Sequence, residues 1–162
     1  MKKYIVIHNL NSRGKNLSKE FIEMLLNAED LNYEYFPTKT IDELNNIIKK
    51  FTDSSKYQYC TIGGDGSLNS LINALMVNNV EYPEVASLPA GSGSDFIRTF
   101  ALPQNIKGAV KHLKSDSYYE IDVGLIKTKN NQKYFINVLN IGFLASTAVS
   151  YTHLRAHETR SD

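Results

Sequence analysis

Thr61-Ile62-Gly63-Gly64-Asp65-Gly66-Ser67-Leu68-Asn69 decides how this chain is read. It joins an apolar run to a segment of helical spacing through three glycines and one carboxylate. A second stretch repeats the pattern: Leu88-Pro89-Ala90-Gly91-Ser92-Gly93-Ser94-Asp95-Phe96. Glycine opens backbone conformations closed to other residues and leaves no side chain in a ligand's way. Turns of this kind, entering helix N-termini, aim main-chain N–H groups at phosphate. Each also carries an aspartate able to face a cation. Together they predict one site for a magnesium–nucleotide.

Working outward, residues 3–9 read as a first buried strand and Tyr33 to Phe36 as a second, stopped by Pro37. Tyr57 to Ile62 and Val85 to Leu88 supply a third and a fourth, each running into a glycine turn. Phe21, Ile22, Leu25 and Leu26 recur with helical spacing over about residues 17–29. Thr40-Ile41-Asp42-Glu43 matches a capping box ahead of Leu44, Ile47 and Ile48. Leu68, Leu71, Ile72 and Leu75 continue the first glycine turn as a helix, and shorter helices fall near 95–100 and 105–114. Alternating strands and helices predict the α/β class, a three-layer α/β/α fold with a mostly parallel sheet. Ligands of such sheets bind outside the carboxyl ends of the strands, where both glycine turns fall.

After residue 116 the pattern changes. Tyr118 to Lys127 and Lys133 to Gly142 read as two long strands, so residues 117–143 predict a β-hairpin. A nucleotide-binding domain is thus expected over 1–149. Residues 150–162 are polar, break the pattern, and read as a non-native tail. His153 and His157 there have metal-ligand spacing, but Glu158 follows the second histidine rather than the first, and a meaningless tail is the better reading.

The 162 residues suffice for one domain with a core, and 42% hydrophobic with 22% charged residues is ordinary for a globular protein. A net charge of +1 supplies no strong field toward nucleic acid. The ten tyrosines form no stacking platform of readable spacing. The single cysteine, Cys60, reads as a packed thiol in a strand, consistent with a reducing cytoplasm. No apolar run approaches the ~20 residues that cross a bilayer. His8 and His112 read as structural histidines.

Gly63 to Asn69 resembles the GGDGT-x-N signature of the diacylglycerol kinase catalytic domain, and Pro89 to Arg98 resembles the family's second signature, P-x-G-T-x-N-D-x-A-R. Ile121-Asp122-Val123-Gly124 resembles the opening of its next strand, and Tyr134 to Asn137 with Ile141 to Phe143 its continuation. The likeness spans about residues 3–148. It implies the N-terminal domain of a bacterial diacylglycerol kinase-like lipid kinase, using ATP and Mg2+ to phosphorylate a diacylglycerol-like lipid. It implies a cytoplasmic protein peripheral to the inner face of the membrane, a homodimer in intact form, without nucleic-acid partners. The general base is expected in a second, β-rich domain that this chain lacks, so the truncated chain is expected to bind nucleotide and to be inactive alone.

By the same resemblance Gly63, Gly64, Asp65, Gly66, Ser67, Asn69, Gly91 and Ser92 would hold the nucleotide. Asp65, Asp95 and Asp122 would form an aspartate–water–magnesium network. Asp65 and Asp95 could instead only cap helices, and Asp122 could be a polar strand end. Asn9 and Ser12 resemble the family's N-P-x-S-G contact, with Leu10 for proline and Arg13 for glycine. Thr38 and Thr40 compete for a nucleotide-holding threonine, and Thr40 is better explained as a cap. Ser67 and Ser92 stand for threonine, Ser70 for glutamate, Ser94 for asparagine and Ala74 for glycine. Two other readings remain: an NAD kinase-like enzyme, which shares a GGDG turn, and a non-catalytic nucleotide-binding domain.

Overall fold

The computed structural model describes residues 2–12, 17–90, 95–115 and 117–136. Four strands form one parallel sheet: β1 (Lys3–Asn9), β2 (Tyr33–Thr38), β3 (Tyr57–Gly63) and β4 (Val85–Pro89), in the order β2-β1-β3-β4. Helices α1 (Lys19–Ala28), α2 (Ile41–Ile48), α3 (Asp65–Val77), α4 (Asp95–Thr99) and α5 (Ile106–His112) alternate with and follow them.

Strand periodicity creates the layers. In β1, Tyr4 and Val6 join Ile22 and Leu26 of α1 and Val110 of α5, while Ile5 and Ile7 join Leu44 and Ile48 of α2 and Leu71 and Leu75 of α3. Successive strand residues face opposite sides, so one strand feeds two cores and the sheet is covered twice. The buried tyrosines keep their hydroxyls bonded: Tyr4 donates to the Leu113 carbonyl and Tyr59 to that of Phe51, each at 2.7 Å. Burial pushes the Tyr59 hydroxyl up to about 12. It does the same to the Cys60 thiol, which is fully enclosed in the first core at 0% exposure.

Helix ends follow local chemistry. Ser18 caps α1, Thr40 caps α2 and Asn105 caps α5, each accepting a main-chain N–H three residues on. Thr40 accepts from Glu43, whose carboxylate reaches back to the Lys39 N–H at 2.7 Å, a reciprocal cap displaced by one residue. Asp30, Asn79 and Ala101 take positive φ just after α1, α3 and α4. Beyond them Leu31, Val80 and Leu102 donate back to Leu26, Leu75 and Ile97, which closes the helices.

Three expectations are corrected. Pro37 does not stop β2; the strand runs through it to Thr38. It is tolerated because β2 is an edge strand of the sheet, where a missing N–H breaks no ladder bond. The first glycine turn is not a loop ahead of a helix, since α3 already starts at Asp65 with Gly64 as its N-cap. The hairpin is present, but its first strand shrinks to β5 (Gly124–Lys127), with residues 117–123 forming no strand; it pairs antiparallel with β6 (Gln132–Phe135). The Phe135 ring lies over Gly124, where a Cβ would fall 2.3 Å from it. The expected strand beyond Ile136, and the tail with His153 and His157, lie outside the described residues.

Candidate nucleotide site

Parallel register brings four strand ends to one rim. Asn9 ends β1 opposite Thr38 of β2, and Gly63 ends β3 opposite Pro89 of β4. The Asn9 side chain crosses to α3, its Nδ2 donating to Ser67 Oγ at 2.9 Å. Its Oδ1 accepts the Asn11 N–H at 3.0 Å, and Asn11 in turn donates to the Lys39 carbonyl at 2.8 Å. Gly63 is required by this contact: a Cβ there would sit 2.2 Å from Ser67 Oγ. Ser12 closes the same corner, its Cβ 3.7 Å from that position and its N–H donating to the Asn9 carbonyl at 3.1 Å. Asn9, Ser12, Gly63 and Ser67 therefore meet at one point, although 58 residues separate Asn9 from Ser67.

A cleft of about 150 Å3 opens beside them, lined by Asn9, Thr38, Thr61, Ser67 and Ser70 among others. Thr38 is buried, its hydroxyl 3.4 Å from the His8 carbonyl. Thr61 is an addition that the motif reading missed. It is buried two residues before Gly63, and strand alternation from that glycine would have turned it to the same face. Ser70 is committed to its own helix, donating to the Gly66 carbonyl at 2.9 Å.

Among the described residues the head of α3 is open. Gly64 offers no side-chain cap, and a Cβ on Gly66 would meet nothing within 4 Å. First-turn N–H groups lack the usual helical partner; that of Ser67 is taken by the Gly64 carbonyl at 3.0 Å, so the anion-facing ones would be those of Asp65 and Gly66.

Asp65 does not cap the helix that follows it, as the plainer of its two readings had it. It stands in the first turn of α3, yet it caps α4: Oδ2 accepts the Asp95 N–H at 3.0 Å and Oδ1 the Phe96 N–H at 3.2 Å. One carboxylate thus ties the first glycine turn to the helix that follows the second. Asp95 pairs with Arg98 at 3.1 Å on an exposed surface. Asp122 is exposed and lines a separate groove of about 1000 Å3, together with Leu68, Phe96, Phe100 and Tyr119. Phe100 packs on Phe96 and on Tyr119, with centroids 4.8 and 5.2 Å apart.

Among the described residues no three His, Cys, Asp or Glu side chains converge closely enough to hold a metal ion directly. The carboxylates offer hard oxygen donors, and Asp65 already spends one lone pair of each oxygen on N–H groups. That chemistry fits magnesium held through its own waters, which this ion gives up reluctantly. Asn69 is half-buried on α3, its carbonyl accepting from Asn73 at 2.8 Å. Gly91 and Ser92 lie outside the described residues.

His8 borders the site without entering it. It is buried on the α1 side, its Nδ1 2.7 Å from the Tyr35 hydroxyl, and burial lowers its pKa.

Sequence and shape comparisons agree with this arrangement. The family described as "Diacylglycerol kinase catalytic domain" matches residues 3–126. A diacylglycerol kinase of Staphylococcus epidermidis is 31% identical over 149 residues, covering 90% of this chain and 45% of the relative. One from Staphylococcus haemolyticus is 33% identical over 150 residues, covering 90% and 43%. The crystal structure of a diacylglycerol kinase from Bacillus anthracis superposes with a TM-score of 0.61 at 26% identity, over 75% of this chain and 42% of that one. The chain spans less than half the length of these relatives. With both glycine turns inside or beside the matched span, and a parallel sheet delivering the first to the strand ends, the chain belongs to the diacylglycerol kinase catalytic-domain family.

Proposed function

We propose that this chain is the nucleotide-holding part of an ATP-dependent lipid kinase, and that the acceptor is a diacylglycerol-like alcohol. The observation that carries this reading is the meeting of Asn9, Ser12, Gly63 and Ser67 beside the uncapped head of α3. Backbone N–H groups and the Ser67 hydroxyl would take the phosphates, with Asn9 setting the hydroxyl's direction. Thr38 and Thr61 in the small cleft would face the nucleotide's remaining part.

In the reaction the acceptor oxygen bonds to the γ-phosphorus, the bond from that phosphorus to the β–γ bridging oxygen breaks, and ADP leaves. The hydroxyl proton passes to a general base. By family resemblance that base lies in a further domain, so these residues position the donor and do not complete the transfer. Asp65, Asp95 and Asp122 would hold magnesium through its waters, and the ion would supply charge neutralisation to the phosphates. A diacylglycerol-like acceptor implies work at a membrane surface, and among the described residues no helix is long and apolar enough to cross one.

Calorimetric titration of the chain with ATP and magnesium tests the proposal. Saturable uptake that Ser67→Ala weakens supports it. No uptake by folded protein overturns it. Incubation with ATP, magnesium and diacylglycerol is expected to yield no phosphatidate from this chain, and ready turnover would refute the assignment of the base to another domain.

A further inference from the structure

Helix α3 serves three neighbours at once. Leu71, Ala74 and Leu75 enter the second core, Leu68, Ile72 and Met76 line the large groove, and Asn73 meets the hairpin. The Asn73 amide is used at both ends. Nδ2 donates to the Tyr134 carbonyl at 2.8 Å and also to the Asn69 carbonyl at 2.8 Å, while Oδ1 accepts the Tyr134 N–H at 2.9 Å. Two strand residues that face each other across a hydrogen-bonded pair exchange the same two bonds. The side chain thus stands in for one residue of a third strand on the outer edge of β6.

Tyr134 lies opposite Leu125 of β5, and β5 begins at Gly124, directly after Asp122-Val123. Asp122 lines the same groove as Phe96, whose N–H Asp65 receives. One helix therefore carries Asp65 at its head and, about 12 Å along its axis, the amide that pins β6, the pairing partner of the strand that follows Asp122.

We propose that Asn73 is a positioning residue that fixes where Asp122 stands relative to Asp65. The proposal rests on reading Asp122 as one of the magnesium-facing carboxylates. Asn73 touches neither nucleotide nor ion. It acts by fixing the hairpin through the Tyr134 main chain.

The test uses the 162-residue chain with Asn73→Leu, Asp122→Asn and the double variant. Two quantities are read: hydrogen exchange at the Tyr134 amide, and the magnesium concentration giving half-maximal ATP binding by calorimetry. Asn73→Leu is expected to speed Tyr134 exchange about tenfold, the loss of roughly one hydrogen bond's protection, and to raise the magnesium midpoint several-fold. ATP binding without magnesium should not change. If Asn73 acts through Asp122, the double variant requires no more magnesium than Asp122→Asn alone.

Unchanged Tyr134 exchange overturns the clamp. Lost protection with an unmoved magnesium midpoint, or additive effects in the double variant, overturns the positioning role. If Asp122→Asn leaves the midpoint unmoved, or the unaltered chain takes up no ATP, the magnesium reading falls and this role with it. Tyr134 exchange still shows in that case whether the clamp exists, so the two failures are told apart. Should Asn73→Leu not fold, Asn73→Ala removes both bonds to Tyr134 without adding an apolar branch and reads the same quantities.

Discussion

The carboxylate of Asp65 accepts the main-chain N–H of Phe96 at 3.2 Å, across 31 residues of sequence. With the neighbouring bond from Asp95 it gives α4 a cap supplied by another helix. Asp65→Ala is expected to destabilise the fold by about 1–2 kcal/mol, the range for a lost N-cap. Asp65→Asn keeps one acceptor and should recover part of that. Urea unfolding gives the energies, and amide exchange at Asp95 and Phe96 localises them. A loss spread over the whole domain would contradict the capping role.

Gly63 and Gly66 are expected to separate stability from binding. A methyl on Gly63 collides with Ser67 Oγ, so Gly63→Ala should cost roughly 1–3 kcal/mol and displace Ser67. At Gly66 the methyl meets nothing, and alanine is the better helix former by about 1 kcal/mol. Gly66→Ala should therefore leave stability unchanged or raised while weakening ATP uptake, because the methyl occupies the open head of α3. Melting and calorimetry on the pair distinguish the two roles.

His8 makes the fold acid-sensitive. The unfolded imidazole takes a proton near its ordinary value of about 6.5, while burial lets the folded one take it only at lower pH. Between those values the unfolded state holds more protons, so stability rises with pH there. The contribution is complete above about pH 6.5 and declines as pH falls below it. Urea midpoints at pH 7.5 and 5.5 should differ more for the unaltered chain than for His8→Leu. Equal differences would remove His8 as the cause.

Ala101 holds φ at 50°, where an L side chain crowds its own carbonyl. Ala101→Gly relieves that at a cost of about 1–2 kcal/mol in the original residue, partly offset by the greater freedom of glycine in the unfolded chain. A net gain of about 1 kcal/mol is expected, visible as a raised melting temperature. A fall would show that the methyl is packed rather than strained.

The parallel sheet was legible because its evidence is local. Strand alternation around Ile5 and Val6, the Thr40 cap and the glycines at the end of β3 all sit within a few residues of what they specify. Pro37 misled because whether a missing N–H matters depends on the neighbouring strand, which the sequence around it does not contain. The start of α3 at Asp65 was hidden by glycines, which read as loop yet are compatible with a helix's first turn. The Asp65 cap and the Asn73 clamp were illegible for another reason: their partners lie 30 and 61 residues away on main-chain atoms, which carry no residue identity to match.

Cys60 turns the interior into a reporter. With no exposed surface and a thiol held up to about 12, it offers an alkylating reagent neither access nor thiolate while the sheet is closed. Its labelling rate at neutral pH therefore counts excursions in which the helix layer of α1 and α5 opens from the sheet. Each substitution above can be ranked by that clock without adding a dye or a second cysteine.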